Sequence, residues 1–133
     1  ERLNLYTQID NIQNEEQLQQ FGIQLKDRFG KLPDQVVEIF DGLRLRWVAK
    51  RLGFERVILK EGKLRCYFVL NPQSPYYESE MFKKVMQFVT GAGKQNQLSL
   101  KQTPKSLIMV RENVRTLQGA RRILELIEGK VEG

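Results

Sequence analysis

A chain of 133 residues with 41% hydrophobic and 29% charged side chains is sized for one domain around a single core, and no apolar run in it is long enough to span a bilayer. One cysteine and no histidine exclude an internal disulfide, the usual zinc constellations and any Ser-His or Cys-His nucleophile, and fit a reducing, cytosolic compartment. The net charge of +6 is unevenly spread, because residues 1–43 carry four basic groups against eight acids, a net of −4, which leaves +10 for the remainder. That polarity suggests two faces with different partners, or simply solvated charge on helices and strands. The chain opens on Glu1 with no signal-like leader, and the expectation is a piece of a longer protein.

Residues 1–13 read as a connector helix arriving from upstream, with Leu5, Ile9 and Ile12 on one face. Asn14 followed by Glu15, Glu16 and Gln17 is a helix start: an Asn cap, acids in the first turn, and a glutamine placed to reach back as in a capping box. Leu18, Phe21, Leu25 and Phe29 then share a stripe. Gly30 can take the left-handed conformation that closes such a helix, and Pro33 suits the first turn of the next. The following helix carries Val36, Phe40, Leu43 and Trp47 on one stripe, widened by Val37, Ile39, Val48 and Leu52. Such breadth predicts the central, most buried helix, with Trp47 in the core.

Beyond Gly53, FERVILK and KLRCYFV are β-rich and separated by Glu61-Gly62, a tight hairpin turn, with Leu64, Cys66 and Phe68 alternating inward. Ser74-Pro75 is expected to start a helix that faces Phe82, Val85 and Val89 to the core and ends at Gly91. A second strand pair, LSLKQ and SLIMVR, flanks Thr103-Pro104-Lys105, and a last helix presents Val114, Leu117, Ala120, Leu124 and Ile127 inward. The fold class is α+β: an N-terminal helical layer packed on a small, mostly antiparallel sheet, with two further helices. Within the single domain 1–133 the parts are a connector (1–13), a helical corner (14–53), and two strand pairs with two helices (54–133).

Sites of chemistry are scarce. TGAGKQ at residues 90–95 resembles part of a phosphate-binding loop, but Gln95 stands where Ser or Thr should hold magnesium, Phe88 replaces the first glycine, and the stretch follows a helix instead of opening one. A plain flexible loop is the simpler reading. Cys66, on the apolar side of its strand, reads as a small hydrophobe, and Glu15-Glu16 has no histidine or metal-site spacing to support acid/base work. Neither a catalytic residue, a metal nor a cofactor is expected in this chain. Tyr67, Tyr76 and Tyr77 are the stacking candidates for a single-strand binder. A more ordinary account puts Tyr67 on the outer sheet face and packs the Tyr76-Tyr77 pair under a loop.

Asp27 is the residue that asks for explanation. It sits in the last turn before Gly30, where the partial negative charge of a helix end disfavours a carboxylate. The order RLNLY, then an acidic helix ending in LKDRFGKLP, then LRLRWVAKRLG resembles the C-terminal domain of the bacterial transcription-repair coupling factor, specifically from Arg2 to Gly53. The resemblance implies a non-catalytic domain, carried by an ATP-dependent DNA translocase, that folds back on the UvrB-like module of the same protein and covers the surface that recruits UvrA. Release of this autoinhibitory clamp on stalled RNA polymerase and DNA would couple translocation to nucleotide excision repair in the bacterial cytoplasm. It also implies docking through Asp27, with Gln24, Arg28 and Asp34 beside it, and an architectural role for Phe29, Gly30 and Pro33. Gln24 is neutral where some relatives are expected to carry an acid. Another explanation for Asp27 is a local pair with a neighbouring Lys or Arg, and another for the whole chain is a nucleic-acid-binding appendage of the translocase.

Overall fold

The computed structural model describes residues 7–132, and the expectations placed on Arg2 and Leu5 lie outside them. A helical turn over 7–10 leads in, and Ile9 within it and Ile12 just past it are both buried. Helix α1 (Glu15–Phe29) starts as its sequence demands, since the Asn14 side chain accepts from the Gln17 N–H. Gln17 reaches back with its Oε1 2.8 Å from the Gln13 amide, one residue earlier than a standard capping box would place it. Helix α2 (Asp34–Leu52) begins one residue after Pro33, which serves as its cap: the Pro33 carbonyl accepts from the Val36 and Val37 amides.

Strands β1 (Phe54–Lys60) and β2 (Lys63–Phe68) form the expected hairpin, with Glu61 and Gly62 both at positive φ (55° and 76°) in the two-residue turn. Ser74-Pro75 opens only a 3-10 turn (Pro75–Glu78). Helix α3 (Glu80–Gly91) is started by a second serine, Ser79, whose hydroxyl accepts from the Phe82 amide and whose extended backbone interrupts the run. Strands β3 (Leu98–Gln102) and β4 (Leu107–Glu112) form the second hairpin, and α4 (Leu117–Glu132) closes the domain. Val114 precedes α4 instead of belonging to it, and its amide bonds to the Gly62 carbonyl at 3.0 Å, tying the link before α4 to the first hairpin turn.

The two hairpins merge into one antiparallel sheet of order β1-β2-β4-β3. Pairing of β2 with β4 puts Cys66 opposite Met109 and Tyr67 opposite Ile108, so each row of the pleat has a fixed face. The inward row joins α2, α3 and α4 in the larger core, where Leu52, Leu64, Cys66, Phe68, Val85, Met109, Ala120, Leu124 and Ile127 have no exposure. A smaller core lies under the helix corner: Ile9, Ile12, Leu18, Phe21 and Leu25 against Phe40 and Leu43. Helix α2 therefore serves both cores, as its broad apolar surface predicts. Two of the residues assigned to its stripe differ from expectation. Val37 is exposed, because it lies in the first turn before α1 covers the helix, and Trp47 is half-buried at the rim of the smaller core.

Side-chain ion pairs bolt the layers together. Arg44 of α2 holds Glu15 at 2.7 Å and the buried Asp41 at 3.2 Å, while Arg51 holds Glu128 of α4 at 2.6 Å. The Glu15 hydrogen bond raises the Arg44 pKa above the ordinary arginine value. Gly53, at φ 100°, turns the chain from α2 into β1, and the Tyr76 hydroxyl donates to the carbonyl of Leu52 beside it.

Candidate functional site

The corner between α1 and α2 is set by two backbone features. Gly30 takes φ 81° with ψ −149°, which is not the left-handed helical conformation expected of it but a positive-φ region that side chains resist, and returns its amide to the Lys26 carbonyl at 2.8 Å. Three residues later Pro33 holds φ at −62° and starts α2. The two helices are joined in the smaller core, where Leu18, Phe21 and Leu25 of α1 cluster with Phe40 and Leu43 of α2.

Asp27 is exposed there, and it makes neither a hydrogen bond nor an ion pair with any described residue. Its neighbours in the last turn, Lys26 and Arg28, do not neutralise it; Arg28 instead places its guanidinium 5.3 Å from the centroid of the Phe29 ring. Gln24 lies one turn back on the same face of the helix, three residues from Asp27 and four from Arg28. These three residues are thus brought together on one solvent-facing patch. Asp34 is exposed as well, but it occupies the first turn of α2, where a carboxylate suits the helix dipole, and it opens onto a groove shared with Val37, Asp41 and the β1–β2 turn.

Phe29 departs from its expected place. It follows the stripe of Leu18, Phe21 and Leu25 by sequence, yet it is 57% exposed, because the smaller core ends one turn earlier and α1 overhangs it. Phe29 stands outside the smaller core with the Arg28 guanidinium over its ring. The structure also exposes Ile23 at 64%, four residues before Asp27 and next to Gln24. Sequence reasoning passed over Ile23, although it breaks an otherwise polar outer face of Gln19, Gln20 and Gln24.

Three other candidates from the sequence take structural positions among the described residues. The loop resembling a phosphate cradle forms compact turns, its Ala92, Gly93 and Lys94 carbonyls accepting from the amides of Asn96, Gln97 and Leu98. Burial pushes the Cys66 thiol up to about 12, leaving it inert at neutral pH. Tyr76 and Tyr77 donate to the carbonyls of Leu52 and Val69 and pack edge-on against Phe82, so they belong to the core margin. Among the described residues no acidic or cysteine cluster has metal-site geometry, and no helix is long and apolar enough to cross a membrane.

Comparison with known proteins returns one theme. The model of the family described as the TRCF domain matches residues 1–79. The transcription-repair-coupling factor of Escherichia coli is 38% identical over 56 residues, which are 42% of this chain and only 5% of that much longer relative. The crystal structure of the C-terminal domain of transcription-repair coupling factor superposes with a TM-score of 0.69, covering 98% of this chain and 80% of that one. At 18% identity this last likeness is one of fold, and it extends the match through the sheet and the two later helices, where sequence similarity fades.

Proposed function

This chain belongs to the TRCF domain family, and from that premise we propose that it is a non-catalytic docking module which holds a transcription-repair coupling factor in a closed state. In this reading the corner of α1 and α2 rests on the UvrB-like module near the N-terminus of the same protein and masks the surface that UvrA needs. Engagement of stalled RNA polymerase and DNA by the intact factor breaks the contact, in the bacterial cytoplasm, and nucleotide excision repair follows. ATP serves the upstream translocase motor, and this domain needs no cofactor of its own.

The observation that supports this reading is the exposed carboxylate of Asp27 in the last turn of α1, without an ion pair to any described residue. A carboxylate in the last turn of a helix is mildly unfavourable, and no local ion pair offsets it. An arginine or lysine of a partner can meet it with charge-assisted hydrogen bonds. Ile23 and Phe29 add apolar contact area around the charge, with Gln24, Arg28 and Asp34 as polar margin.

The test is a titration of this chain against the separately expressed UvrB-like module. Asp27→Arg replaces attraction by like-charge repulsion and is expected to weaken that complex by several kcal/mol. It leaves the melting temperature of the chain unchanged or slightly raised, because a cation suits a helix C-terminus. In the intact factor the same substitution is expected to increase UvrA capture in a pull-down with neither DNA nor polymerase present. Unchanged module binding and unchanged UvrA capture, with the fold intact, would remove Asp27 and this corner from the clamp.

A further inference from the structure

The sheet has a second face. The buried side chains of α2, α3 and α4 lie in the core on the inward face or in the smaller core under the helix corner, and the outward residues Ile58 and Val110, half-buried, and Ile108, at 5% exposure, join neither cluster, so among the described residues no helix packs its buried face on this side. The register fixes what it displays. Arg56 and Lys60 of β1 stand opposite Tyr67 and Lys63 of β2; Arg65 lies between these last two on the same face, and Lys101 of β3 projects the same way beyond β4. Against five cations there is one acid, Glu112, whose carboxylate is 3.5 Å from Lys63. Arg56, Lys60, Arg65 and Lys101 have no ion pair with any described residue. Lys60 and Lys63 face each other directly across the first hairpin, and Glu112 on β4 pairs with Lys63 while Lys60 has no ion pair with any described residue.

The aromatic component is as particular as the charge. Tyr76 and Tyr77 are committed to the core margin, whereas Tyr67 lies in the outward row without a hydrogen bond to any described residue, and the Arg56 guanidinium stands 5.6 Å from its ring centroid. With the Arg56 guanidinium over the Tyr67 ring, the pair forms a layered cation-π surface on whose outer guanidinium plane unpaired bases can stack, and cations on the other strands spread the charge over about 14 Å at the usual strand spacing.

We propose that this open sheet face binds single-stranded nucleic acid: the Arg56–Tyr67 pair stacks bases, and Lys60, Lys63, Arg65 and Lys101 meet the phosphates. A duplex keeps its bases paired and gives Tyr67 nothing to stack on, and an acidic peptide offers charge without flat rings. The combination of charge with the Arg56–Tyr67 platform therefore favours the single strand over both. This surface lies away from Asp27, and the inference stands whether or not the corner is a clamp.

The experiment is fluorescence anisotropy of a labelled oligothymidine of about a dozen nucleotides, within the usual site size of such surfaces, titrated with this chain over a range of salt. Expected are binding that falls with salt at a log–log slope near −3, for about four phosphates, and weaker binding to a duplex of equal length and to polyglutamate. The double variant Arg65→Glu/Lys101→Glu should lose at least about tenfold, by removing two phosphate contacts and adding repulsion. Tyr67→Leu, which keeps an apolar contact for the half-buried site, should lose about fivefold or more for the single strand and nothing for the duplex. Lys84→Glu, on the exposed side of α3, should leave binding as it is. Thermal melts identify any variant that fails to fold, and Arg56→Gln then serves as the second probe of the platform. No binding of oligothymidine at low salt, tighter binding of duplex or polyglutamate, or full retention in both Tyr67→Leu and Arg56→Gln would overturn the proposal.

Discussion

The core beneath the sheet and the core beneath the helix corner share α2 but differ in how completely they exclude water. Nine side chains of the first have no exposure at all, whereas in the second only Leu18 reaches that state and the other six keep 6–8%. The difference follows from geometry. A sheet covered by three helices seals its inward row on all sides, while two helices and a short lead-in can enclose only a thin wedge between them. The comparison teaches how enclosure depends on the number of covering elements: the tight unit has a sealed interior, and the thin unit leaves Phe29 and Val37, along with Ile23, at the surface.

If the two cores form one cooperative unit through α2, damage to the deeper one should unfold both. Phe68 has no exposure and packs against Phe54 and Phe82 with ring centroids 4.8 and 5.7 Å away, so Phe68→Ala is expected to lose ~3–5 kcal/mol. Far-UV circular dichroism should report it for the whole chain, and Trp47 fluorescence for the smaller core, with the same urea midpoint. Separate midpoints would show that the corner melts on its own and would break the picture of a shared helix coupling the two.

The joint between α2 and β1 comes next. A Cβ on Gly53 would lie 2.0 Å from the Tyr76 ring, at a φ of 100° that side chains resist, so Gly53→Ala should lose ~2–4 kcal/mol from strain and displacement together. A wild-type melting temperature would mean that the ring moves aside freely and that the joint is softer than the platform it belongs to.

Within the corner the largest polar effect belongs to Arg44. Its removal leaves the buried Asp41 carboxylate with only a 3.5 Å contact from Gln118, so Arg44→Ala is expected to lose roughly 1–3 kcal/mol. Glu15→Ala should lose less than about 1 kcal/mol, because Glu15 is half exposed. Equal losses in chemical denaturation would place the value of this cluster in the link to α1 and not in the burial of Asp41.

The smallest effect is a pH dependence confined to the tight core. Burial raises the Cys66 thiol from its ordinary 9.0 to about 12, so the folded chain keeps a proton that the unfolded chain releases. The contribution is complete below pH about 9 and is lost as pH rises towards about 12. Tyr76 and Tyr77, both raised chiefly by desolvation, act in the same direction at higher pH. Urea midpoints taken near pH 8 and near pH 10 should therefore fall less in Cys66→Ala than in the wild type. An identical fall in both would assign the alkaline loss to other groups.

Much of this was legible beforehand where one local rule decides. Asn14 and Gln17 announce α1, Glu61-Gly62 announces the hairpin, and the alternation of Leu64, Cys66 and Phe68 identifies the inward face, because each depends on neighbours in sequence. What stayed hidden depends on where other elements stop. Phe29 fits its stripe by period, but only the length of the smaller core decides that it overhangs. Ser74 and Ser79 are both good helix caps, and the structure uses the first for a 3-10 turn and the second for α3. Merging of the two hairpins through β2 and β4 is a long-range choice, and with it came the basic open face that a net charge alone could not locate. The motif around Asp27 was readable, whereas Ile23 required exposure to be seen.

The sheet also ends in two bare strand edges, β1 and β3, each of which could in principle accept a strand from another molecule and begin a fibre. The irregular register between Phe54 and Arg56 interrupts one of them, and the carboxylate of Glu55 there accepts the Leu70 amide at 3.1 Å, pinning the distortion in place. The other edge is only five residues long and carries Lys101. Both devices discourage intermolecular strand pairing, so the open edges of the sheet are kept from recruiting a neighbour's strand into an aggregate.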